Sequence, residues 1–199
     1  MLQEIFFNEL ASSSPTPGGG TVSALAGQLA GGLLAMVLGI SAPQETIQEI
    51  KTQALELEKL ALADAQAYQQ VVLAFKLPKN DEAEKAARQK AVEAALKGAA
   101  EVPLKTAKTA LALLLKAQSL TEMVKKSCAT DLGVAISLLK SSLLGGLMNV
   151  EINLLAIKDE EFNREMRNQI QKIKREAKTA LLIIAQEINS RQLPIVWEL

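Results

Sequence analysis

An all-α, single-domain fold is what this sequence predicts, and three observations predict it. Ala, Leu, Ile and Val supply most of a 49% hydrophobic content, while aromatic residues make up only 3%. That mix suits closely packed helices better than a β-sandwich. Apolar residues recur by steps of three and four along most of the chain, and no alternating, strand-like segment of useful length appears. A length of 199 residues suits one domain with a sizeable core, and neither a repeat period nor a linker divides residues 1–199.

Taken in order, residues 2–11 read as a short amphipathic helix. The stretch SSSPTPGGGT (12–21) is a strong breaker that leads into a new helix, with Thr21 or Ser23 available at its start. From Thr21 to Ala42 there is no charged residue. Length alone would suit a membrane span. The richness in Gly, Ala and Ser, the presence of Gln28 and the lack of basic flanks or an aromatic belt favour a helix buried in a bundle or across a dimer. Gly27, Gly31 and Gly32 would let a neighbouring helix approach closely.

Residues 44–75 form a long helix in which Ile47, Ile50, Ala54, Leu57, Leu60, Asp64, Ala67, Val71 and Ala74 share one face. The tract Lys76-Leu77-Pro78-Lys79-Asn80 ends it. A helix follows from about Asp81 to Ala100, with acids at its start. Pro103 is placed to open another, to about Gln118, and a short helical or irregular piece continues through Lys126. Thr130 reads as the cap of a long helix to about Ile157. Residues 159–190 give the clearest amphipathic pattern, with an apolar stripe running from Phe162 through Met166, Ile170 and Ile173 to Ile188. The tail from Pro194 to Leu199 reads as extended. The total is about seven or eight helices.

Composition also restricts the chemistry. The chain has no histidine, so a Ser-His-Asp triad and a His-ligated metal are excluded, and acid–base work falls to Asp, Glu, Lys, Tyr, Cys or water. One cysteine, Cys128, can build neither an intrachain disulfide nor a Cys-rich zinc site. Lys+Arg and Asp+Glu balance at 22 each, so the overall charge carries no nucleic-acid footprint. The N-terminus lacks the basic region and cleavage site of a signal peptide. The expectation is a cytoplasmic protein with no metal, no nucleic-acid partner and no membrane partner.

Four groups of residues could carry function. Pro17-Gly18-Gly19-Gly20 could bring backbone N–H groups close to a ligand, or could simply form a tight turn. Asp64 interrupts an apolar stripe, and burial would raise its pKa toward that of a proton donor; a structural ion pair with a neighbouring helix, or a partly exposed edge of the stripe, is the other reading. Lys76, Lys79, Lys85 and Arg88 form a local basic cluster that could hold a carboxylate or merely be solvated. On the long helix near the C-terminal side, Asp131, Ser142, Gly146, Asn149 and Asn153 lie in one polar and small stripe. Asp131 and Asn149 are about 27 Å apart at ~1.5 Å per residue, so an antiparallel second subunit would be needed to bring such groups together.

These segments, in this order, resemble the formiminotetrahydrofolate cyclodeaminase / methenyltetrahydrofolate cyclohydrolase family. The resemblance runs from about residue 2 to residue 182. It rests on SSSPTPGGGTVSALAG, DAQAY at 64–68, AFKLPKNDEAEKAAR at 74–88, AAEVPL at 99–104, TDLGVA at 130–135 and NVEIN at 149–153. It implies an all-helical homodimer with a folate site near the subunit contact, no tightly bound cofactor, and a tetrahydrofolate derivative as substrate. The chemistry implied is at the carbon bridging N5 and N10: hydrolysis of the methenyl form, or ring closure of the formimino form with release of ammonia. Carried over by motif, Asp64 and Asp131 are the catalytic residues. Lys76, Lys85 and Arg88 meet the anionic parts of the substrate, Pro17, Gly18, Gly19 and Gly20 shape the pocket, and Asn149 is a polar contact. The chain departs from the family pattern at Ile40–Gln44, which lacks Lys and Arg, and at Lys126-Ser127 before Thr130-Asp131. Those tracts suggest the alternative of a folate-binding or regulatory dimer with little or no turnover.

Overall fold

The computed structural model describes residues 2–39, 41–193 and 195. Among them are six α-helices and two 3-10 turns: α1 (Leu2–Leu10), α2 (Gly19–Leu38), α3 (Gln44–Phe75), α4 (Glu82–Leu120), turns at Thr121–Met123 and Lys126–Cys128, α5 (Ala129–Leu154) and α6 (Glu160–Ser190). The all-α expectation holds. The expected tail, Pro194–Leu199, lies outside the described residues except for Ile195.

The count falls short of seven or eight because two expected helices are one. Pro103 does not open a helix; it lies buried in the middle of α4. A proline there removes the N–H that would bond the carbonyl four residues earlier and costs about 3 kcal/mol in an ordinary helix. The orphaned acceptor is Ala99 O, and Asn153 Nδ2 of α5 donates to it at 3.0 Å. Gly146 lets α5 press against the same segment, since a Cβ there would come within 2.9 Å of Pro103 O. The missing hydrogen bond is thus replaced by a neighbour that local patterning does not reveal. The piece through Lys126 is the pair of 3-10 turns.

Other boundaries moved for local reasons. The turn Lys126–Cys128 runs directly into α5, so Thr130 lies inside the helix and does not cap it. Helix α5 ends at Leu154, before Ile157. Helix α2 begins at Gly19, capped by extended Gly18 without any side-chain bond, so neither Thr21 nor Ser23 is its cap. It stops at Leu38, short of Ala42. The side chains of Asp81 and Asp159 do cap α4 and α6, accepting from Glu84 N at 2.8 Å and Phe162 N at 2.9 Å.

Helix α2 packs most extensively on α3 and α5, both antiparallel to it, while α4 is the helix that touches α2, α3, α5 and α6. The inner face of α2 is built from Gly20, Ser23, Gly27 and Gly31, each meeting a specific neighbour. A Cβ on Gly27 would strike Leu57 Cδ1 at 2.9 Å, and one on Gly31 would strike Ala54 Cβ at 2.7 Å. The uncharged run from Thr21 therefore encodes close helix packing, and about half of the residues of α2 are buried within the fold. Its other face, including Val22, Leu29 and Met36, is exposed.

Candidate functional site

The N-terminal end of α2 gathers residues from three helices. Asp64 of α3 sits half-buried against it, and Thr21 Oγ1 donates to Asp64 Oδ2 at 3.0 Å. Gly20 makes this possible: a Cβ there would lie 2.5 Å from Asp64 Cγ and 2.7 Å from Oδ2. Burial pushes the Asp64 carboxyl above its ordinary value, and hydrogen bonding from Thr21, by its hydroxyl and then its backbone N–H, opposes that push without cancelling it. The shift is in the direction that a proton donor requires.

On the α5 side, Asn149 is half-buried, with Nδ2 and Oδ1 at 3.5 and 3.9 Å from where a Gly19 Cβ would be. Its Nδ2 donates to Gly145 O at 2.8 Å. Asn153, one turn on, donates to Asn149 O at 2.8 Å as well as to Ala99 O. A single amide therefore ties the segment carrying Asn149 to the proline-bearing turn of α4. The glycine loop completes the wall: Gly18 O accepts from Val22 N at 3.0 Å, Ser23 Oγ donates to Gly19 O at 2.6 Å, and the Thr16–Pro17 peptide is cis. Asp64, Gly18–Gly20 and Asn149, far apart in sequence, thus meet at one place.

The remaining expected site residues do not join them within the chain. Asp131 stands in the first turn of α5, about 27 Å along the helix from Asn149. Lys76 caps the far end of α3, about 18 Å beyond Asp64. Arg88 reaches back from α4 to that end, donating from Nε and Nη2 to Phe75 O at 3.2 and 3.0 Å, with its guanidinium 5.6 Å from the centre of the Phe75 ring. Lys85 is engaged with Glu82 at 2.6 Å on the exposed surface. The basic cluster thus lies three turns from the acid. Sequence reasoning placed Thr21 at a helix start and missed it as the partner of Asp64. It also missed the bracing role of Asn153, a half-buried asparagine on another helix that partners the segment of Pro103. Three grooves of similar size open on the surface: one between α5 and α6, one on the exposed face of α2 lined by Leu29, Leu33, Met36, Leu55 and Leu138, and one between α3 and α4 lined by Ala63, Ala67, Gly98 and Val102, beside Asp64.

The sequence profile of the formiminotransferase-cyclodeaminase family matches residues 3–172. Similar proteins include the formimidoyltransferase-cyclodeaminase of Rattus norvegicus, 32% identical over 198 residues that cover 94% of this chain and 37% of that protein. The methenyltetrahydrofolate cyclohydrolase of Methylorubrum extorquens is 31% identical over 87% of this chain and 89% of its own length. The chain thus spans about 37% of the rat relative's length and most of the bacterial one's. The crystal structure of formiminotetrahydrofolate cyclodeaminase from Thermotoga maritima superposes with a TM-score of 0.81 at 26% identity, covering 96% of each chain.

Proposed function

We propose, because the chain belongs to the formiminotransferase-cyclodeaminase family, that it is an enzyme acting on the carbon that joins N5 and N10 of tetrahydrofolate. The observation that carries this reading is Asp64: a half-buried carboxyl with a raised pKa, held by Thr21 against a glycine-lined helix start. Cyclodeamination needs N10 to attack the N5-formimino carbon and a proton to reach the departing nitrogen, which leaves as ammonia. Cyclohydrolysis needs water to add to the methenyl carbon, lose a proton, and let the carbon–N5 bond break as N5 is protonated. Each reaction needs one group that gives and takes a proton beside a tetrahedral carbon. Without histidine, Asp64 is the residue suited to it.

The same reading includes a homodimer. The outward stripe of α2 is apolar and uncharged, with Leu29 63% and Met36 55% exposed, and it is continuous with Leu55 of α3 and Leu138 of α5. A second copy packed antiparallel across this face would cover it. It would also carry the partner's α5 start, with its Asp131, toward the end of α2 where Asp64 lies. We place the enzyme in the cytoplasm, without a metal or tightly held cofactor.

The test follows the absorbance of methenyltetrahydrofolate with purified protein. Its loss identifies cyclohydrolase activity, and its appearance from formiminotetrahydrofolate with release of ammonia identifies cyclodeaminase activity. Saturable folate binding with neither reaction accelerated overturns the enzyme reading and leaves a folate-binding protein.

A further inference from the structure

The face of α3 that holds Asp64 continues past the end of α2. Five turns of 3.6 residues separate Ile50 from Tyr68, and Leu57 from Phe75, so each pair shares one azimuth on the helix. Ile50 and Leu57 are completely buried, yet Tyr68 is 41% and Phe75 50% exposed. The difference lies in the covering helix. Gly27 and Gly31 of α2 lie over the first half of the stripe, but α2 begins at Gly19, level with Asp64. Beyond that level the side of α3 that α2 covers is left open, while Val71 and Ala74 stay packed. Asp64, Tyr68, Val71 and Phe75 form a strip there, with the Arg88 guanidinium over its far end.

We propose that this strip orients the substrate and that Tyr68 is its aromatic platform, an inference that rests on the folate reading above. Tetrahydrofolate presents its one-carbon unit, then the p-aminobenzoyl ring on N10, then the glutamate carboxylates. The strip presents a carboxyl at Asp64, a phenol ring one turn on at about 6 Å, and a cation on an aromatic ring at about 16 Å. The two orders match. With the one-carbon unit at Asp64, the benzoyl ring lies on Tyr68 and the carboxylates reach Arg88. Tyr68 is the chain's one tyrosine, placed where its ring is accessible and its backbone is fixed inside a long helix.

The experiment compares Tyr68→Leu and Tyr68→Phe with the wild type, measuring kcat, KM and competitive inhibition by two fragments, p-aminobenzoylglutamate and tetrahydropterin. Loss of an aromatic pair corresponds to roughly a 2- to 12-fold effect. Tyr68→Leu should raise KM and the inhibition constant of p-aminobenzoylglutamate by that factor, leave the tetrahydropterin constant unchanged and hold kcat within about twofold. Tyr68→Phe should restore wild-type values. An unchanged KM in Tyr68→Leu, a Phe variant as impaired as the Leu variant, or a loss confined to tetrahydropterin overturns the platform while wild-type turnover keeps the folate reading intact. A wild-type protein that neither turns over nor binds folate overturns both.

Discussion

The two ends of the α2–α5 pair each present an aspartate, and they are built differently. At one end Asp64 projects from the middle of α3 into the start of α2, where a hydroxyl meets it and a glycine makes room for it. At the other, Asp131 stands in the first turn of its own helix, where any carboxylate gains from the helix dipole. The presence of Asp131 is thus explained by local structure alone. That of Asp64 is not: a carboxyl placed in a core-facing stripe and partly stripped of water is costly, and Gly20 is required at its side to fit it. A functional role is the stronger explanation at the first end, and only a partner subunit would supply one at the second.

The sharpest way to break this contrast is to remove each charge without changing shape. Asp64→Asn should lower kcat by about 10²- to 10⁴-fold, the range of a general acid or base, with helicity retained. If Asp131 serves only its helix, Asp131→Asn keeps turnover and loses about 0.3–1 kcal/mol of stability. If Asp131 acts across a dimer, Asp131→Asn is also inactive. Mixing it with Asp64→Asn subunits then restores about a quarter of wild-type turnover, the statistical share of intact composite sites in a random mixture of dimers. Wild-type rates in Asp64→Asn remove the acid–base assignment outright.

A second substitution tests the room made for Asp64 rather than Asp64 itself. In Gly20→Ala the new methyl group would overlap the Asp64 carboxylate, and relief must come from moving that side chain. A displacement of about 1 Å at a reacting group costs on the order of 10² in rate, so kcat should fall by about that factor. Gly98→Ala is the control. A Cβ there meets nothing within 4 Å, and the change should leave activity intact and stabilise α4 by up to about 1 kcal/mol. Equal rates for the two variants would show that Asp64 tolerates displacement.

Much of the fold was legible in the sequence because periodicity is local. The stripes of α3 and α6 were read almost residue by residue, and α2 was correctly read as a packed helix with Gly27 and Gly31 at close contacts; Gly32, expected to join them, faces outward, and a Cβ there would meet nothing within 4 Å. What patterning could not show were events between helices. Pro103 punctuates a sequence, but whether it starts a helix or lies inside one depends on Asn153, fifty residues away, supplying the missing hydrogen bond. Thr130 resembles a cap until the preceding turn extends the helix past it. At the site, Asp64 stood out as a polar break in an apolar stripe, and the glycine loop as a breaker. That they touch, and that Asp131 and the basic cluster do not join them in one chain, follows from the antiparallel packing of α2 against both α3 and α5. Tyr68 was left off the stripe read along α3, and that it shares the azimuth of buried Ile50 yet stays exposed depends on where α2 begins.

The smallest effect separates burial from capping as the state of Asp64. Its carboxyl is raised by burial and lowered by Thr21, with burial prevailing. A carboxyl whose folded pKa lies above its unfolded value of about 3.9 contributes stability that is complete below the unfolded value and is lost as pH rises through the folded one. Asp64→Asn is neutral throughout and has no such loss. The melting temperature of the wild type minus that of Asp64→Asn should therefore be flat in acid, fall as pH rises through the raised pKa, and level off above it. The opposite slope, with the wild type gaining on the variant as pH rises, would mean that Thr21 and the start of α2 stabilise the carboxylate more than burial penalises it. Asp64 would then be an ionised cap for α2, lent by α3. The upward shift that favours a proton donor would be missing, and the contrast with Asp131 would reduce to two aspartates serving two helix ends.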